Sequence, residues 1–139
     1  WQEVATGGLL SLVLALFFAR SYARLGLPPL SITRLWHLGV YFLVLFAEIV
    51  KANIDVAWRV LHPKLPINPG IVIIKTELSQ DAAKVLLANS ITLTPGTFTL
   101  DIIGDTLLVH WIDVKSEDTA EATRLIAGRF ERHLKAVFA

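Results

Sequence analysis

Seven polar residues recur along one apolar stretch, residues 35–61, at spacings that place them on the same side of an α-helix. At about 100° per residue they fall within roughly a quarter of the helix circumference. Acidic residues and histidines in such a stripe can take up and release protons or attract a cation, and basic residues can pair with them. These residues are His37, Tyr41, Glu48, Lys51, Asp55, Arg59 and His62.

Glu48 is the residue in this stripe with the clearest chemistry. Lys51 follows three positions later and Asp55 four positions after that, so a Glu–Lys–Asp ladder would share one helix face. Burial favours the protonated form of a carboxylate, and a nearby ammonium group opposes that effect. Two interpretations stay open: Glu48 takes part directly in proton or ion transfer, or it pairs with Lys51 or with a neighbouring subunit.

His37 extends the stripe towards the other end of the helix, where it could relay protons or form an interfacial hydrogen bond. The four histidines lie too far apart in sequence to predict a metal site, and the chain has no cysteine. No glycine-rich phosphate loop and no catalytic triad occurs. A net charge of +1 gives no reason to expect nucleic acid. The residues therefore give no indication of a metal site, a phosphate-binding loop, a catalytic triad or a nucleic-acid interface.

The elements that position the stripe are predicted to be transmembrane helices. The chain is 54% apolar with a mean hydropathy of +0.58, and residues 4–19 carry no charge. Extended to residue 22, that run is long enough to span a bilayer. Residues 35–61 form the second predicted transmembrane helix, with 35–50 at lipid depth. Since ionisable groups at that depth usually face protein, the stripe predicts contact with a partner subunit in a larger membrane complex.

The connection between these helices, residues 20–34, contains three arginines and Pro28-Pro29. These three arginines face two basic residues, Arg59 and Lys64, at the other end of the second predicted helix, so the difference in positive charge is too small to decide the topology. We favour a soluble domain on the cytoplasmic side. The sequence has no methionine, so we expect further residues, and a further apolar helix, before Trp1.

Residues 62–70 are predicted to be a linker, and residues 71–139 a small α+β domain with the order β-α-β-β-α. Residues 71–77, 97–103 and 106–114 have strand character, and residues 91–94 alternate with a period of two. Helices are predicted over 80–88 and from 116 onwards. Pro95-Gly96 predicts a type II turn and Gly104-Asp105 a hairpin turn. The predicted fold class is a membrane protein with α-helical transmembrane segments followed by this domain.

One string in the domain resembles a known family. Ala88-Asn-Ser-Ile-Thr-Leu-Thr-Pro-Gly-Thr97, followed by Asp101 and Leu108-Val-His110, is similar to the E subunit of the multisubunit cation/proton antiporters known as Mrp or Mnh. The residues of the string that carry most of the similarity are Asn89, Thr94, Pro95, Gly96 and Thr97. The upstream helix agrees, because Glu48, Lys51, Asn53 and Trp58 stand where that family has similar residues.

The resemblance implies an accessory subunit of a hetero-oligomeric assembly in the cell membrane that exchanges Na⁺ for H⁺. Its implied partners are large subunits similar to the proton-pumping subunits of respiratory complex I, small membrane subunits and the lipid bilayer. The resemblance also implies no cofactor and no enzymatic activity. Related subunits occur in membrane-bound hydrogenases, so an equivalent place in a redox complex is the alternative. The resemblance implies that Glu48 and Lys51 are polar residues within the membrane, and it leaves their role open.

Overall fold

The computed structural model of the chain describes residues 1–24 and 31–138, so the middle of the predicted 20–34 connection, residues 25–30 with Pro28-Pro29, lies outside the described residues. Two long helices are followed by a three-stranded sheet and three shorter helices. The elements are α1 Gln2–Arg24, α2 Ile32–Leu61, β1 Gly70–Lys75, α3 Asp81–Leu93, β2 Thr97–Ile103, β3 Thr106–Trp111, α4 Thr119–Ile126 and α5 Gly128–Phe138.

Helix α1 exposes its apolar side chains as far as Ala19. Within the described ranges, only its segment Gln2–Ala19 meets the length and hydropathy of a membrane-crossing helix. That finding concerns length and composition alone. The first predicted span therefore has a counterpart in the fold, and the prediction of a second span by residues 35–61 is not confirmed.

Helix α2 begins at Ser31, whose hydroxyl accepts a hydrogen bond from the Arg34 amide at 3.2 Å. It ends at His62, directly before Pro63, because proline cannot continue a helix. One side of α2 packs against α5, with Tyr41 and Leu45 buried. Part of the segment predicted to lie at lipid depth is thus covered by the chain's own α+β domain.

The sheet is antiparallel with the strand order β1-β3-β2. Val72 faces Val109 and Ile74 faces Leu107 in register, and these four side chains point into the core. Helices α3 and α4 cover that face of the sheet, and α5 packs between them and α2. The predicted β-α-β-β order and both turn positions are present, since Gly96 and Gly104 have φ of 94° and 64°.

Two predictions about the helices are corrected. Residues 91–93 belong to α3, because Ala83, Leu87 and Ile91 recur every four residues and are all buried. A short alternation with a period of two is outweighed by this helical period. The last predicted helix is two helices, α4 and α5, which meet at Ala127 and Gly128. Glycine is a poor helix former, which favours a break there.

Candidate functional site

The candidate site is the groove where α2 meets the α+β domain. A cavity of about 250 Å³ lies there, bounded by α2, the Pro95-Gly96 turn, the residues after β3, and the region where α4 meets α5. Most of the predicted polar stripe faces this cavity. The charged side chains that line it are Glu48, Lys51, Asp55, Arg59, Asp113, Lys115 and Arg129.

Arg59 connects three parts of the chain at one end of the groove. Its Nε donates to Asp55 Oδ2 at 2.7 Å, and its Nη2 lies 2.9 Å from Asp113 Oδ2 beyond β3. Its Nη1 donates to the Pro66 carbonyl at 2.6 Å. The side chain is only 11% exposed. A planar guanidinium with five donors can serve all three acceptors at once, so Arg59 ties α2, the linker and the sheet together.

Glu48 pairs with Arg129 at the start of α5 and does not pair with Lys51. The predicted Glu–Lys–Asp ladder is therefore not formed, because Glu48 and Asp55 each have an arginine partner. Lys51 is exposed and makes no ion pair within residues 1–24 and 31–138. Glu48 retains partial exposure of its side chain, 23%, towards the cavity.

Tyr41 and His37 have different environments although both lie on the stripe. The Tyr41 hydroxyl is fully buried and hydrogen-bonds to Ser90 Oγ of α3. Ser90 Oγ also bonds to the Leu86 carbonyl at 2.7 Å. His37 is half-buried and has no hydrogen bond among the described residues. The stripe is consequently not continuous as a chain of proton-transferring groups over the described part of α2.

The motif around Pro95-Gly96 closes the groove on the side of α3. Thr97 Oγ1 donates to the Ile91 carbonyl at 2.7 Å, and Thr94 Oγ1 donates to the Ser90 carbonyl at 2.8 Å. Carbonyl groups in the last turn of a helix lack their usual helical partners. The Thr94 hydroxyl supplies a donor to the Ser90 carbonyl, and the Ile91 carbonyl accepts from the Thr94 amide at 3.2 Å as well as from Thr97. Asn89 is exposed on α3. The threonines of the motif thus hold the turn in place against α2.

A second polar cluster lies at the far end of the domain. Glu131 of α5 is 8% exposed, and its Oε1 accepts from the Thr76 hydroxyl at 3.0 Å and the Glu77 amide at 2.6 Å. Lys135 pairs with Glu77 on the surface. The hydrogen bond from Lys135 lowers the pKa of Glu77, and the same bond raises the pKa of Lys135. Glu131 therefore fixes the chain after β1 to α5.

Sequence reasoning placed Glu48, Lys51, Asp55 and Arg59 on one face, and the structure brings them to one groove. It missed Arg129 of α5 as the partner of Glu48 and Asp113, after β3, as a partner of Arg59. It also missed Ser90 of α3 as the partner of Tyr41. Arg129 carried no such signal, because the sequence predicted one helix from residue 116, in whose later turns the helix dipole favours a cation; only the break at Ala127 and Gly128 places it at the start of α5. In residues 1–24 and 31–138, no group of three or more histidine, aspartate or glutamate side chains is arranged to hold a metal ion.

Fold and groove together define a class: a chain with one apolar N-terminal helix of membrane-crossing length and a small α+β domain packed against a long amphipathic helix. Comparisons with known proteins place the chain more closely. Residues 1–137 match the family described as "Na+/H+ ion antiporter subunit". The E subunit of the Na⁺/H⁺ antiporter of Alkalihalophilus pseudofirmus is 36% identical over 127 residues, which cover 90% of this chain and 77% of the relative.

Two further similarities cover most of the chain. The corresponding E subunit of the Bacillus subtilis antiporter is 35% identical over 134 residues, covering 95% of this chain and 81% of that protein. A chain in the solved structure of "the membrane-bound sulfane sulfur reductase (MBS), an archaeal respiratory membrane complex" is 46% identical with a TM-score of 0.85, over 99% of this chain and 85% of that one. The protein belongs to the family of Na⁺/H⁺ antiporter E subunits, as the Asn89–Thr97 motif predicted.

Proposed function

We propose that the chain is an accessory subunit that braces a multisubunit Na⁺/H⁺ antiporter in the cell membrane and has no catalytic activity of its own. Membership of the family of antiporter E subunits supports the antiport assignment. The observation that carries the bracing role is the pairing of Glu48 and Arg59 with the chain's own domain. Charges that are satisfied internally make α2 and the domain one rigid body, against which large and small membrane subunits can pack.

The proposal assigns Glu48 a structural role through Arg129 rather than a role as a proton or ion carrier. If the pair only fixes α5 on α2, Glu48→Gln and Arg129→Gln remove the same interaction. Both variants should then reduce the amount of assembled complex to a similar extent, with antiport per assembled complex unchanged. The measurements are quantitative blotting of the purified complex and Na⁺-dependent proton flux in inverted membrane vesicles.

If Glu48 takes part directly in ion transfer, its replacement should lower antiport per assembled complex rather than the amount of assembled complex. Glu48→Gln would then lower flux per assembled complex at least several-fold, while Arg129→Gln, which leaves the carboxylate in place, would not. Lys51→Gln is the matched control, since Lys51 lines the same cavity but makes no ion pair in the described part of the chain. A normal flux in all three variants, with poor assembly in the first two, supports bracing.

One observation favours a second candidate, a place in a redox-driven membrane complex. The similarity to a chain of the sulfane sulfur reductase reaches 46% identity, above the 36% and 35% found with the two antiporter subunits. The same packing of α2 and domain would serve either assembly. Affinity purification of the chain from its native membrane in mild detergent, with mass spectrometry, separates them: antiporter-like subunits alone favour the first, and accompanying redox subunits favour the second.

The proposed position of the α+β domain is the cytoplasmic side of the membrane. The sequence also predicts a second crossing by α2, which would make the chain multi-pass. The packing of α2 along the domain favours a different placement of that helix, in the plane of the membrane.

A further inference from the structure

The side of α2 that faces away from the α+β domain is apolar along the entire helix. At about 100° per residue, an arc of roughly 160° contains no charged residue between Ile32 and Leu61. We call this arc the outer face. Six of its exposed members, spread from one end of the helix to the other, are Leu35, Leu43, Phe46, Val50, Ile54 and Leu61.

Apart from the two tryptophans, the one polar side chain on the outer face, Asn53, is accommodated within the helix. Its Nδ2 donates to the Ile49 carbonyl at 2.8 Å. A side-chain amide bonded to its own helix costs less to remove from water than a free one. The outer face therefore stays apolar beyond Lys51, where a helix leaving the bilayer would be expected to turn polar all round.

The opposite side of α2 packs against the α+β domain, and this packing argues against α2 crossing the bilayer over most of its length. The domain covers α2 from Tyr41 to Arg59, a distance of about 27 Å at 1.5 Å per residue. If that stretch crossed the bilayer, the sheet would enter the hydrocarbon layer with β1 and β2 as open edges. Strand edges exposed to lipid are not tolerated there. The remaining nine residues, 32–40, span about 14 Å, less than half of the ~30 Å core.

We propose that α2 lies in the plane of the membrane surface, with its outer face among the lipid chains and the domain on the aqueous side. Helix α1, whose apolar side chains are exposed as far as Ala19, is separated by seven residues from the start of α2, so a membrane that takes up α1 also lies close to the start of α2. Trp36 and Trp58 are both exposed, one near each end, as interfacial anchors are. Lys51 stands at the margin of the apolar arc, from which its amine can reach the headgroups.

Lipid suits the outer face better than a crossing helix of a partner subunit. The face extends over 30 residues, about 45 Å, whereas a helix that crosses the bilayer beside an in-plane helix would cover only about 10 Å of it. In-plane helices of this kind bury their apolar side about 5–10 Å below the headgroups. The placement does not depend on whether the assembly is an antiporter or a redox complex.

The test uses single-cysteine variants of this chain, which contains no cysteine, in a complex whose other subunits have had their own cysteines replaced. Nitroxide labels are placed at the exposed positions Leu43, Val50, Ile54 and Leu61, in the native complex reconstituted into phosphatidylethanolamine/phosphatidylglycerol vesicles. Relaxation by oxygen and by a water-soluble nickel chelate gives the depth of each label. An in-plane helix predicts four depths that agree within about 5 Å, all shallow.

Labels at Leu9, Val13 and Leu16 of α1 are the control, with depth changing by about 1.5 Å per residue. A change of about 27 Å between Leu43 and Leu61 would show that α2 crosses the membrane and would overturn the proposal. Exclusion of both reagents from the outer face in the complex would overturn it as well, because it would mean that protein rather than lipid covers α2.

Discussion

At the residue scale, the groove depends most on Arg59. It is the one charged member of the stripe that reaches both the linker and the residues after β3. Its partners differ in exposure, with the Asp55 side chain 54% and the Asp113 side chain 25% exposed. Since water already screens Asp55, the bonds to Asp113 and Pro66 make the larger contribution.

Replacing Arg59 by Gln should destabilise the domain by about 1–3 kcal/mol, because Asp113 and the Pro66 carbonyl lose their donor. Arg59→Lys should recover only part of that loss, since an ammonium group cannot serve three acceptors in this geometry. Denaturant unfolding of the purified chain in detergent, followed by circular dichroism, measures the effect. Arg124→Gln, which breaks an exposed pair with Glu121, is the control and should leave the midpoint unchanged.

The Glu77–Lys135 pair gives a pH dependence whose sign follows from the lowered pKa of Glu77. Its stabilising effect is fully present above the ordinary carboxyl pKa of 4.5 and is lost as the pH falls through the lower value in the folded state. The difference in unfolding midpoint between wild type and Lys135→Gln should therefore be constant from about pH 6 to 8 and shrink in acid. A difference that grows on acidification would contradict this assignment.

At the scale of elements, Gly96 is constrained twice. Its φ of 94° disfavours other residues, and a Cβ there would meet Ile112 Cγ2 at 2.9 Å and Val56 Cγ2 of α2 at 3.6 Å. Gly104 also has a positive φ, 64°, but a Cβ there meets nothing within 4 Å. The turn at Gly96 is therefore packed into the groove, whereas the turn at Gly104 only reverses the direction of the chain.

Asparagine tolerates positive φ, so it separates the two constraints. Gly96→Asn should destabilise the chain by about 1–3 kcal/mol through the contact with Ile112. Gly104→Asn should change the free energy of unfolding by less than about 0.5 kcal/mol. The same denaturant titration compares them, and equal effects at the two positions would mean that Gly96 matters only for its backbone conformation.

Helices and strands were predictable wherever their apolar residues followed only one spacing, either that of a helix or that of a strand. The strands at β2 and β3 and the apolar face of Ile126, Phe130, Leu134 and Val137 follow directly from their spacing, and all four of those side chains are buried. The end of α3 did not follow, because residues 91–94 fit both periods. The burial of Ile91 in the domain core decided it, because Ile91 continues the buried row of Ala83 and Leu87 on α3.

At the scale of the whole molecule, the cytoplasmic position of the domain can be tested with one substitution. Glu117→Cys puts the chain's single thiol at an exposed position before α4. A membrane-impermeant maleimide should fail to label it in intact cells and should label it after permeabilisation. Labelling in intact cells would place the domain outside and reverse the proposed orientation.

The sequence by itself determined the apolar helix α1, the α+β order, the two turns at Gly96 and Gly104, the family, and the polar stripe on α2. These features are local, since each depends on residue types within one helical turn, one strand or one short motif. Only the tertiary structure decided what covers the stripe. Glu48 meets Arg129, Tyr41 meets Ser90 and Arg59 meets Asp113 across 49 to 81 positions of chain. No periodicity encodes such pairs, because they arise from how α3, α5 and the residues after β3 pack against α2. The stripe was expected to contact another subunit, and three of its members, Tyr41, Glu48 and Arg59, contact the chain's own domain.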